Sequence, residues 1–323
     1  MANLTGLPRV AVVGTGTMGA LHARVIAQSD RAELAYVIEA RPEVGEQVAQ
    51  RHGATWRPDL ASVQDVDAVV VAAPTEAHYA LGREVLERGL PLLMEKPLTL
   101  ELADAEELVQ LSAKADVPLL CGLLERYNPA VMTAMRLVEQ PRHVMTARHS
   151  PYVARIRNGV SSDLLIHDVD IAVRLAGAEP SQVRATFGYL HPDSPQGSED
   201  VAEGLFSFPD GMVANVSASR VSQRKLRRLD ITEEGRLVEV DMIRNSVTIY
   251  RHVLNEASPD GLSYRQQTII EIPALVSSRE PLAAQFDRFL DLTLGLADPA
   301  VERQEILPPH RVIERLREAA TSG

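Results

Sequence analysis

The chain is short of several things, and each shortage excludes a class of protein. It has one cysteine, Cys121, so no intramolecular disulfide framework is possible, and a reducing compartment is expected. It has no excess of basic charge: 33 Lys and Arg stand against 44 Asp and Glu, a formal net charge of −11. That balance argues against nucleic acid or an anionic membrane as the main partner. No apolar run approaches the roughly 20 residues of a membrane span. The opening Met-Ala-Asn-Leu-Thr-Gly-Leu-Pro lacks a basic region leading into an apolar stretch, so no signal peptide is expected. Internal repeats and low-complexity tracts are also missing. Lysine is scarce: Lys96, Lys114 and Lys225 are the only three among the 33 basic residues. What is present is an ordinary globular composition, 45% apolar and 24% charged over 323 residues. Disorder and collagen-like structure are excluded, and a cytoplasmic protein long enough for two domains is expected.

The first 122 residues alternate short apolar runs with helical stretches. Strands are expected at Arg9–Val13, Glu33–Ile38, Ala68–Ala72, Pro91–Met94 and Pro118–Cys121. Consecutive apolar residues in them suit parallel strands buried on both faces. Helices are expected at Met18–Gln28, Arg41–His52, Thr75–Arg88 and Thr99–Ala115, the last with Thr99 as N-cap. This rhythm predicts a doubly wound α/β domain over 1–122. An α+β domain is expected over 123–323, with helices at Pro129–Glu139, Ser162–Leu175, Pro281–Leu294 and His310–Ala319. Its strands are expected at Val183–Leu190, Val201–Phe208, Met212–Arg220, Leu226–Thr232, Leu237–Asp241, Val247–Arg251 and Gln266–Ile272. The turns between them predict a largely antiparallel sheet. Trp56 reads as a structural residue in a loop, Cys121 as the end of a buried strand, and His191–Ser198 as a surface loop.

Four segments carry chemistry. Gly14-Thr15-Gly16-Thr17-Met18-Gly19 lies between an expected strand and an expected helix. The three glycines suit a tight turn, close approach to a pyrophosphate, and close helix–strand packing. Glu39, 20 residues after Gly19, ends the next strand, where an acid binds ribose hydroxyls. A carboxylate there repels a 2′-phosphate, so NAD is expected over NADP, although Arg41 stands two residues away. Ala72-Ala73-Pro74-Thr75 and Met94-Glu95-Lys96-Pro97 end two further strands at the ligand-binding edge. Thr75 reads as a helix N-cap, and His78 as a partly exposed histidine on the cofactor side. Lys96 has two readings: a lysine whose proton is loosened by burial and like charge, or a Glu-Lys surface pair. Asp163 and His167 are four residues apart, hence on one helix face, where a carboxylate orients an imidazole for acid–base work. A surface pair and a metal site are the alternatives there, but no third ligand at a recognised spacing accompanies them.

With Gly14–Gly19, Glu95-Lys96-Pro97 and Asp163–His167 in this order, the whole chain resembles the Gfo/Idh/MocA oxidoreductase family. The resemblance implies a Rossmann domain followed by an open-faced antiparallel sheet that pairs subunits, hence a homodimer or homotetramer. It also implies that Lys96, Asp163 and His167 form the catalytic group. Further segments resemble the branch that contains UDP-N-acetylglucosamine 3-dehydrogenases and related nucleotide-sugar 3-dehydrogenases. These are Glu125-Arg126-Tyr127-Asn128-Pro129, Arg148-His149-Ser150-Pro151 with Arg155, Gly159–Asp168, and Asp241-Met-Ile-Arg-Asn. Tyr127 departs mildly from a pattern that often has phenylalanine. The implied reaction is oxidation of a sugar 3-hydroxyl to a ketone. Arg126, Tyr127, Arg148 and Arg155 are candidates to hold the substrate or its phosphates, since a guanidinium grips phosphate with two hydrogen bonds, and a surface ion pair is the alternative for each arginine. An inositol or simple-sugar dehydrogenase, a ketosugar reductase, and a non-catalytic dinucleotide-binding sensor are the rival readings.

Overall fold

The computed structural model describes residues 6–253 and 267–321. Two compact units emerge, one from Met1–Leu124 with Glu280–His310, the other from Glu125–Arg279 with Arg311–Gly323. Against the expected boundary at 122, Glu280–His310 belongs with the first unit and not the second. The reason is apolar. The helix Pro281–Thr293 places Leu282, Phe286, Phe289, Leu290 and Leu292 in the same buried cluster as Ala23, Val25, Ile26 and Leu34.

In the first unit, six parallel strands lie in the order β3-β2-β1-β4-β5-β6. They are β1 (Arg9–Val13), β2 (Glu33–Ile38), β3 (Thr55–Arg57), β4 (Ala68–Val71), β5 (Leu92–Met94) and β6 (Leu119–Cys121). Val10, Val12, Val69, Val70, Leu92 and Leu93 have no exposed surface, as expected of parallel strands covered on both faces. The reversal of strand order between β1 and β4 makes the switch point at which such sheets bind dinucleotides. Trp56 sits in β3 and not in a loop; its indole N–H donates to the Glu39 carbonyl at 3.0 Å. A three-residue strand with a single apolar side chain is too short to show a period. Thr99 is not the cap of the helix Leu102–Ala115, because its hydroxyl donates to the Glu101 carbonyl and Glu101 holds the N-cap position.

Among the described residues, the second unit has an eight-stranded sheet, ordered β14-β13-β12-β11-β7-β10-β9-β8, in which only β7 and β10 pair in parallel. The strands are β7 (His143–His149), β8 (Gln182–Gly188), β9 (Val201–Ser207), β10 (Val213–Ser219), β11 (Leu226–Glu233), β12 (Arg236–Asp241), β13 (Ser246–Val253) and β14 (Gln267–Glu271). Gln266, the first residue of the expected last strand, lies outside the described residues. Strand β7 has no counterpart in the sequence reading. Its inward positions are Val144, Thr146 and Arg148, while the apolar Met145 and Ala147 face outward, so the usual in–out contrast is inverted. The helices Pro129–Leu137 and Ile166–Ala176 cover one face. The other face is open and carries Met145 and Leu205, 47% and 40% exposed. No helix among the described residues is long and apolar enough to cross a membrane.

Candidate active site

At the carboxyl edge of the first sheet, Gly14, at φ +85°, turns the chain out of β1 and donates its N–H to the Ile38 carbonyl. A Cβ on Gly14 would lie 2.8 Å from the Ala72 carbonyl oxygen, and one on Gly19 only 1.9 Å from the Gly14 oxygen. Those two glycines are required by close packing inside the protein. Gly16 differs, because a Cβ there would meet nothing within 4 Å. The helix Thr17–Ala27 starts immediately afterwards, with Gly16 as N-cap and no side chain closing its end. A helix N-terminus with open approach at Gly16, flanked by Thr15, Thr17 and Met18, fits a dinucleotide pyrophosphate.

Glu39 completes that end. One carboxylate oxygen accepts from the Thr15 N–H at 3.0 Å and its hydroxyl at 2.7 Å; the other accepts from Arg41 Nε at 2.9 Å. The Arg41 hydrogen bond, opposed by burial and reinforced by Thr15, holds the Glu39 pKa at about 2. The acid is therefore fixed, ionised and beside the glycine turn, where ribose hydroxyls need an acceptor.

After β5, Glu95 turns inward rather than toward a ligand. Its carboxylate meets His22 Nε2 at 2.8 Å, and both residues are buried. Burial works against the Glu95 carboxylate, but His22 and Lys96 outweigh it and hold its pKa below the usual carboxylate range. This pair ties the helix after the glycine turn to the Lys96 segment. Lys96 itself is half-buried, and its peptide bond to Pro97 is cis. His78, expected to be partly exposed, is 1% exposed; its ring lies between the Pro97 carbonyl at 2.9 Å and the Ala73 carbonyl at 3.0 Å. It joins the end of β4 to the turn after β5. Thr75 opens a short 3₁₀ turn in which Pro74, not Thr75, holds the cap position. His310 accepts the Leu98 N–H at 3.0 Å and steadies the same turn. Sequence reasoning missed His22 and His310; the one available signal was a histidine one turn beyond Gly19.

In the second unit, Ser161–Leu165 is wound as a π-helix that runs directly into the α-helix Ile166–Ala176. The expected α-helix over Ser162–Leu175 therefore begins with a wider turn, a feature frequent at functional sites. Asp163 lies in that turn, half-buried, and His167 follows in the first α-turn, 8% exposed. Glu199 holds the entry: its carboxylate accepts the Ser161 N–H at 2.8 Å and its carbonyl accepts from Val160. Of the arginines read as substrate ligands, two are engaged within the protein. Arg126 donates to both Asp170 oxygens, at 2.9 and 2.7 Å. Arg148, 3% exposed, donates to Asp168 at 2.5 Å and Glu125 at 2.7 Å. Burial disfavours the Arg148 charge, but Asp168 and Glu125 overcome it and raise its pKa. Tyr127 is half-buried and Arg155 is exposed on the loop before the π-turn.

Comparison with known proteins identifies the family and the fold. Residues 8–123 match the model of the Gfo/Idh/MocA oxidoreductase family with NAD-binding Rossmann fold, and residues 135–238 match the family's C-terminal domain. The chain is 30% identical over 286 residues to UDP-N-acetylglucosamine 3-dehydrogenase of Acidithiobacillus ferrooxidans, covering 88% of both proteins. It is 29% identical to the scyllo-inositol 2-dehydrogenase (NAD(+)) of Bacillus subtilis, over 90% of this chain and 92% of that one. A crystal structure of the Acidithiobacillus enzyme superposes with a TM-score of 0.85 at 27% identity, covering 98% of this chain and 99% of the other. The chain belongs to the Gfo/Idh/MocA family of oxidoreductases, and its first unit is that family's NAD-binding Rossmann fold.

Proposed function

We propose that the chain is an NAD-dependent dehydrogenase that oxidises a sugar hydroxyl to a ketone, acting on C3 of a nucleotide sugar such as UDP-N-acetylglucosamine. The observation that carries this reading is the placement of Lys96 at the same strand edge as the open Gly16 turn and the ionised Glu39. Similarity along nearly the whole of the Acidithiobacillus 3-dehydrogenase supports the choice of substrate.

When bound, NAD supplies the hydride acceptor. The protein's own residues manage the proton and the oxygen. His167 takes the hydroxyl proton, Lys96 donates to the oxygen that becomes the carbonyl, and Asp163 orients the sugar or the imidazole. The His22–Glu95 pair and His78 fix the backbone on either side of Lys96. Oxidation of an inositol by the same group is the second reading, supported by the similarity to scyllo-inositol 2-dehydrogenase. We also propose that the open sheet face, with Met145 and Leu205, pairs with a second copy of the chain. Light scattering is expected to give a dimer or tetramer.

The test is NADH absorbance at high enzyme concentration, with NAD and either UDP-N-acetylglucosamine or myo-inositol. NADH formation with the nucleotide sugar alone is the expected result; NADH with myo-inositol alone transfers the assignment to the second reading. Lys96→Met and His167→Asn should each lower turnover by about 100-fold or more with NAD affinity retained. Near-normal turnover in Lys96→Met would remove the lysine from the mechanism.

A further inference from the structure

Arg227 lies in a basic stretch, Arg224 to Arg228, that carries no recognisable motif. It lies on β11 directly opposite Arg148 on β7, and both belong to the helix-covered face of the sheet. Like charges placed opposite one another across two strands are destabilising, so the two guanidiniums need separate accounts. Arg148 has one: it is enclosed by Asp168 and Glu125. Arg227 has none of that kind. Its guanidinium donates to the His149 carbonyl at 2.7 Å, the Leu226 carbonyl at 2.8 Å and the Ser150 hydroxyl at 2.9 Å, all uncharged acceptors. Among the described residues it forms no ion pair, although it is half-buried.

Burial and the neighbouring Arg148 push its pKa down to about 10, against the pull of Asp168, Glu125 and Asp163. The cation is thus held where its charge is disfavoured, within the field of the acid assigned to the sugar. An anionic oxygen group placed against it would supply the counter-charge that the protein withholds, and a planar guanidinium suits phosphate and carboxylate alike.

We propose that Arg227, with Ser150 beside it, is the anion-recognising residue of the substrate site and binds the phosphate of a nucleotide sugar. This rests on the reading of Asp163 and His167 as substrate-facing, and it makes Arg227 the residue that sets charged sugars apart from neutral polyols. A carboxylate on the sugar ring presents the same chemistry and is the other source of the anion.

The test uses the NAD-saturated full-length protein, with UDP and glucuronate as probes for the phosphate and the carboxylate. Calorimetry on Arg227→Gln should show a UDP dissociation constant raised about thirtyfold, with a smaller rise in Arg227→Lys. Thermal midpoint and NAD affinity, measured on the same samples, establish that each variant is folded, and Ser150→Ala provides a second, milder perturbation. Loss of glucuronate binding with UDP binding intact supports the anion site and assigns it to the carboxylate. UDP and glucuronate binding both unchanged in Arg227→Gln overturns the proposal, as does failure of the parent protein to bind either probe. An equal fall in kcat/KM for UDP-N-acetylglucosamine and for N-acetylglucosamine also overturns it, since that marks a structural role. Arg227-dependent UDP binding by a protein that does not oxidise UDP-N-acetylglucosamine would leave the anion site standing while the substrate assignment fell. Turnover of that sugar with an unchanged KM in Arg227→Gln would do the reverse.

Discussion

Replacing Gly16 by alanine separates cofactor binding from folding. Gly16 has φ −63° and ψ −168°, a conformation open to any L-residue, and a Cβ there meets no protein atom within 4 Å. Loss of unfolded-state freedom favours the alanine by about 0.4–1 kcal/mol, and its poorer N-cap quality costs a similar amount. The cofactor-free protein should therefore unfold within about 2 °C of the parent. The methyl group instead occupies the approach to the pyrophosphate, and a 100-fold weakening of NAD corresponds to about 2.8 kcal/mol. At a concentration of about 100 times the parent dissociation constant, NAD stabilises the parent by about 2.7 kcal/mol, against about 0.4 kcal/mol for Gly16→Ala. In scanning fluorimetry this reads as an NAD-induced rise of about 5–10 °C that nearly vanishes in the variant. Gly19→Ala is the contrast: its Cβ would lie 1.9 Å from the Gly14 oxygen, so it should lower the midpoint without any cofactor. A full NAD-induced rise in Gly16→Ala, or a cofactor-free midpoint as low as that of Gly19→Ala, would refute the reasoning.

Asp168→Ala strands the buried Arg148 guanidinium and should cost about 3–5 kcal/mol in urea unfolding; a loss below about 1 kcal/mol would show that Glu125 suffices. Glu39 is held at about 2, against 4.5 for a free glutamate. Its depressed pKa gives a stabilisation that is complete above pH 4.5 and is lost as the pH falls through about 2. The stability difference between the parent and Glu39→Gln should thus be flat from about pH 7 to 5 and shrink below that range in urea titrations. Glu39→Ala should weaken NAD by about tenfold and narrow its advantage over NADP, measured by calorimetry with both cofactors.

Much of this was legible from the sequence, and the exceptions share a cause. Strands β1 and β2 matched residue for residue because parallel strands buried on both faces carry an unbroken apolar run after their charged first residues, Arg9 and Glu33, and the glycine turn with Glu39 encodes its role in spacing alone. What stayed hidden was polar burial. Strand β7 points Thr146 and Arg148 inward, so hydrophobicity misreports its faces. Arg126 and Arg148 looked like phosphate ligands because a sequence does not show that Asp170 and Asp168 wait one helix away. His22 and Glu95 are 73 residues apart, and only the fold makes them one group. Arg227 lay in a run of arginines whose individual surroundings no local pattern separates.

The route of the backbone has a consequence for how the protein is made. The core of the nucleotide-binding unit is completed by Phe286, Phe289 and Leu290, which leave the ribosome well after the strands they cover. Until they emerge, the nascent sheet lacks the helix Pro281–Thr293, which contacts the helix Thr17–Ala27. Each large side chain contributes about 1.5–3 kcal/mol when buried, so a fragment ending at residue 124 should be unstable alone. The second unit, synthesised in between, likewise waits for Leu316, whose side chain lies against Gly204. Neither unit can complete its core until these late helices have been made, and refolding is expected to be slow, governed by contacts between distant parts of the chain.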